Sequence, residues 1–209
     1  MPSRGLSSSA VERGGVAGVL AAALFVLSTI LARIAPTGLT YDSATDYLHE
    51  ILLVGAFGAT MVAILGLHAL HRSHPRYGPV GVIGTVLAVT GYGIVTLVLA
   101  VSMAVGGRAL TEVRIAGAVT LLVGSALLGV ATLRARLVPW WCGLLLIIAF
   151  PLGDVANQVF GGAEGLLLAL LWGSVGAALL NSAGSITQAV GPQPPAAALT
   201  ESKPRSTNA

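Results

Sequence analysis

From Tyr77 to Gly107 the chain carries no charged side chain, and five more blocks of the same character are separated by short polar turns. A helix on a water-soluble globule needs a strongly polar face, and these blocks lack one. At about 1.5 Å per residue, roughly 20 apolar residues cross the hydrocarbon core of a bilayer as a helix. Composition agrees: 9% of residues are charged and 55% hydrophobic, with a mean hydropathy of +0.88. A soluble domain is roughly one quarter charged. The expected fold is therefore an all-α integral membrane protein, six transmembrane helices in a compact bundle, with the lipid bilayer as its principal partner.

The turns set the expected boundaries. Spans are placed at about 14–35, 51–70, 79–104, 115–133, 139–160 and 165–180, between a basic tail, 1–13, and a proline-containing tail, 181–209, expected to be disordered. The first block begins like a signal peptide. Arg33 occupies the place of a cleavage site, however, and Ala32 and Ala35 miss the required spacing, so an uncleaved span is expected. Pro79 is tolerated in the first turn of the third span, which is expected to end near Gly106 and Gly107.

Basic residues set orientation. Arg4, Arg13, Arg72, Arg76, Arg134, Arg136, Lys203 and Arg205 fall on one side, against Arg33, Arg108 and Arg114 on the other. The positive-inside rule then puts both termini in the cytoplasm. Heavy use of Arg, Ala, Gly and Val suggests a GC-rich bacterial genome, hence a multi-pass protein of the bacterial cytoplasmic membrane. Tyr77, Trp140 and Trp141 are expected at the inner interface, and Tyr41 and Tyr47 at the outer one.

The net charge of +3 is scattered in ones and twos rather than clustered with aromatic residues, so no nucleic-acid partner is expected. The single cysteine, Cys142, can form no internal disulfide, and no Cys/His set suits a structural metal. No cofactor is expected.

Polar residues inside the spans are the candidates for function. Asp154, Asn157 and Gln158 share one helical face three residues beyond Pro151, which leaves the carbonyl of Ile147 without its helical donor. Counted along the helices, Asp154 lies about 22 Å from the cytoplasmic edge and Arg33 about 25 Å. A charge in hydrocarbon is usually paired or faces water. The expectation is a polar intramembrane cluster of Asp154, Asn157, Gln158 and Arg33, serving as a ligand or proton site, with Arg33 otherwise snorkelling outward.

Two further groups carry weaker signals. Asp42, Asp46, His49 and Glu50 would share one helical face and could hold a divalent cation, although a solvated interfacial helix explains them more simply. His68, His71 and His74 recur every third residue, but Pro75 limits the helix they share and no carboxylate accompanies them.

The last span has a ridge of small residues, Gly165, Ala169, Gly173 and Ala177, of the kind that packs helices together or recruits a partner helix or second copy. No motif places a nucleophile beside a base, so the chain is not expected to be an enzyme. Two classes of function remain. One is a non-catalytic accessory or regulatory membrane protein using its glycine ridges. The other is a small-solute or proton-coupled carrier, or carrier subunit, with an outward-facing site around Asp154.

Overall fold

The structure, a computed structural model, describes residues 4–35, 41, 43–107, 109–160 and 163–190; the side chains of 4–7, 154, 157–160, 163 and 187–190 lie outside that description. Six helices follow in order: α1 Arg4–Ile34, α2 Ala44–His71, α3 Gly78–Val105, α4 Thr111–Ala135, α5 Trp140–Phe160 and α6 Ala163–Val190. Five of them are long and apolar enough to cross a membrane. The exception, α5, carries a shorter apolar stretch, Trp140–Gly153.

Where the helices start and stop follows local chemistry. Ser43 opens α2 with a capping box: its hydroxyl accepts from the Asp46 amide at 3.3 Å, and the Asp46 carboxylate accepts from the Ser43 amide at 2.9 Å. Residues 44–50, expected ahead of the second span, are thus the first turns of α2. Gly106 stops α3 in the left-handed conformation, φ 72°, its amide turned back to Met103 and Ser102. That stop agrees with expectation. Two helices overrun their expected ends. α1 starts at Arg4, and α6 continues to Val190 through residues assigned to the tail. Apolar periodicity fades there, yet nothing between Asn181 and Val190 breaks a helix.

Each helix packs on the next in the chain and α6 returns to α1, so the six close into a ring, with α2 also touching α6. Large apolar side chains point outward from every helix, among them Leu20, Leu65, Val86, Val119, Leu144 and Leu170. An apolar exterior extending round the molecule is what lipid contact requires, and far exceeds the patches soluble proteins expose.

Lipid is as apolar as leucine, so the ring cannot be held by hydrophobic burial alone. Its helices instead approach backbone to backbone. A Cβ on Gly14 of α1 would lie 2.5 Å from Cα of Gly66 in α2, and one on Gly18 would lie 2.9 Å from Cα of Gly176 in α6. In α4, a Cβ on Gly124 would strike the backbone nitrogen of Ala88 in α3. The ridge expected on α6 is present and faces inward. Gly165 meets Thr29 and Phe25 of α1, Gly173 meets Ala22, and Ala169 is buried.

Ala177 is the exception, being exposed, while Gly176 takes its place against α1. A four-residue step advances about 40° beyond a full turn, so three steps carry the row off the contact. The ridge proposed for an outside partner is therefore occupied within the chain. Gly124→Ala is expected to lower stability by about 2–3 kcal/mol in a detergent unfolding titration. Gly93→Ala, with nothing within 4 Å of the added Cβ, is expected to cost nothing.

Candidate functional site

Tyr92 in the middle of α3 is fully buried, and three helices send an aromatic ring to it. Phe57 of α2 stands at 5.5 Å between ring centroids, Phe150 of α5 at 5.9 Å and Trp172 of α6 at 6.2 Å. Phe25 of α1 extends the cluster through Phe57 at 5.6 Å. These separations lie in the range where tilted aromatic pairs attract. The Tyr92 hydroxyl has the Trp172 indole N–H as neighbour, yet neither atom closes a hydrogen bond of good geometry.

Beside this hub lies a cleft of about 610 Å³. Phe57 and Phe150 form part of its wall, Val95, Leu121 and Pro151 add apolar surface, and among the described residues Glu164 is the carboxylate lining it. Ile115, Val119 and Val155 also line it and are exposed, so the cleft opens sideways between α4 and α5. Glu164 stands in the first turn of α6, where the helix dipole favours a negative charge. Its side chain lies against α5: a Cβ on Gly153 would come within 3.0 Å of its Cγ.

Nothing in the sequence around Glu164 signals that it faces the bundle. Pro151 was singled out, and it does line the cleft. Asp154, Asn157 and Gln158 lie on α5 beyond it, with side chains outside the described residues. Arg33 is exposed in the last turn of α1. α1 and α5 are not among the closely packed helix pairs. Both pack on α6.

The polar residues in the first turns of α2 take separate local tasks. Asp46 completes the Ser43 cap, and His49 Nδ1 lies 3.2 Å from the carbonyl of Ser28 on α1, which it meets as donor. Asp42 lies outside the described residues. Among the described residues no three His, Cys, Asp or Glu side chains gather as a metal site. Hydroxyls within the spans bond to their own helices at Thr96, which donates to Tyr92 O at 2.7 Å, and at Thr120, which donates to Ala116 O at 2.8 Å.

At the opposite end, Tyr77 does not join an interfacial belt. It is 2% exposed, its ring close to His68 and His71. Its hydroxyl lies 2.9 Å from Gly81 O, 2.7 Å from Thr85 Oγ1 and 3.2 Å from His68 Nδ1. Gly81 makes room for the ring, since any Cβ there would overlap it. The tyrosine thus ties the end of α2 to the start of α3. Trp140, by contrast, is 67% exposed and suits an interface.

Against known protein families, curated proteins and solved structures, the chain shows no match. The geometry of its own residues must therefore carry the functional reading.

Burial pushes the Tyr77 phenol above its ordinary value, and the hydrogen bond with Thr85 opposes that only in part. A raised folded-state value means that the folded protein keeps its proton longer than the unfolded chain. The associated stability is complete below about pH 10 and is lost as pH rises from there through the folded-state value. Tyr77→Phe is expected to remove that part of the alkaline loss when melting is followed between about pH 9 and 11.

Proposed function

We propose that this is a six-span protein of the bacterial cytoplasmic membrane that binds a small lipophilic cation in the cleft beside Glu164 and acts as its carrier. The observation that supports this reading is the cleft itself: about 610 Å³, aromatic on one side, with a carboxylate at the first turn of α6. Aromatic faces and a desolvated carboxylate both attract a cation, and neither favours an anion. The excess of arginine on one side puts both chain ends in the cytoplasm, and the cleft then falls in the outer half of the membrane.

Asp154, Asn157 and Gln158 follow Pro151 in the sequence of α5 and are proposed as a second polar set. Pro151, in the wall of the cleft, takes a hydrogen bond out of the α5 ladder and gives the carrier a place to flex. The accessory reading has less support, because Gly165, Ala169 and Gly173 are taken up against α1.

Equilibrium binding of radiolabelled tetraphenylphosphonium to purified protein tests the proposal. Glu164→Gln is expected to weaken binding about tenfold, the equivalent of about 1.4 kcal/mol. Uncharged tetraphenylmethane should not compete. Asp154→Asn then tells whether the second acid shares the site. Failure of the native protein to bind the probe, or binding unchanged in Glu164→Gln, would remove the cation reading.

A further inference from the structure

A second cleft lies at the other end of the bundle from Glu164. Arg76, from the turn after α2, reaches it from one side, and Arg134 and Arg136, from the end of α4, reach it from another. It measures about 730 Å³, and Val130 and Leu133 give it an apolar wall. All three arginines are exposed, and among the described residues none of their guanidinium groups is engaged by a carboxylate.

We infer that this cleft binds the phosphate-bearing headgroup of an anionic phospholipid. A guanidinium presents a planar fork of donors that fits two phosphate oxygens at once, and three converging forks make a strong anion site. The apolar wall beside them suits the start of an acyl chain, and exposed Trp140 marks the depth of the membrane interface a few residues on.

The backbone supplies an independent sign. Arg136 caps α4 in the left-handed conformation, φ 55°, its amide bonded to Thr132 O at 3.1 Å. That position is ordinarily glycine's, because any other residue is strained there. Strain of this kind tends to be kept where a side chain has a task. Helix-dipole attraction and the positive-inside tendency explain a basic residue at a helix end. They do not explain why a third arginine from a different turn enters the same cleft.

The strain also supplies a discriminating variant, since Arg136→Gly removes the guanidinium while easing the backbone. Native mass spectrometry on full-length protein, given phosphatidylglycerol or phosphatidylcholine in detergent, reads the lipid that stays bound. Phosphatidylglycerol is expected to be retained in preference. Arg136→Gly is expected to weaken that retention about fivefold, and Arg76→Gln added to it by about fivefold again.

Melting of Arg136→Gly in neutral detergent should be unchanged or raised, which separates lost binding from lost fold. Equal retention of the two lipids, or undiminished retention by the double variant, would overturn the inference. Displacement of phosphatidylglycerol by millimolar inorganic phosphate would overturn it too, in favour of a site for the free anion.

Discussion

Backbone-to-backbone contact at glycine is the interaction on which this molecule depends. In a bilayer a leucine gains nothing by leaving lipid for protein, so helices that carried only large side chains would have little reason to stay together. Here Gly14 against Gly66, Gly18 against Gly176, and Gly91 and Gly124 against the facing backbones of α4 and α3 bring three helix pairs to their closest approach. Dispersion and the polar edges of the backbone then supply the cohesion that water would otherwise impose. Closing the ring follows, because α1 uses one row of small residues toward α2 and another toward α6.

Ring closure creates an interior, and the interior is where the chemistry differs from lipid. Tyr92, Trp172 and Phe57 fill the centre with rings, and the space left over falls to one side, where Pro151 disturbs α5 and Glu164 supplies charge. At the other end the turns are shorter on acid and rich in arginine. The two proposals thus assign ligands of opposite sign to the two ends of one bundle, a cation near α6's first turn and a phosphate near α4's last.

Much of the helix order was legible in the residues, because charge-free blocks and glycine or proline stops have direct physical meanings. Gly106 stops α3 as its position implies. What could not be read was rotational phase. In a soluble helix the apolar stripe shows which face turns inward, but here the lipid face is as apolar as the core, so the stripe vanishes. Tyr77, expected at the inner interface, is instead buried against protein, and Glu164 lines the interior cleft with no stripe to announce it. The small-residue row on α6 did carry phase, and it was right for three of four positions. Asp46 shows how one residue type serves two readings, since an acid three residues after a serine is as good a helix cap as it is a metal ligand.

The central claim is that α6 folds back onto α1 of the same chain. A Cβ added at Gly173 would lie 3.3 Å from that of Ala22, close to the separation a disulfide spans. With Cys142 replaced by alanine, the pair Ala22→Cys and Gly173→Cys should oxidise in membranes to a cross-link within one chain, seen as a faster-running monomer that reverts on reduction. A cross-linked dimer in its place, or no cross-link at all, would show that the ridge serves a second copy or stays free, and would contradict the ring.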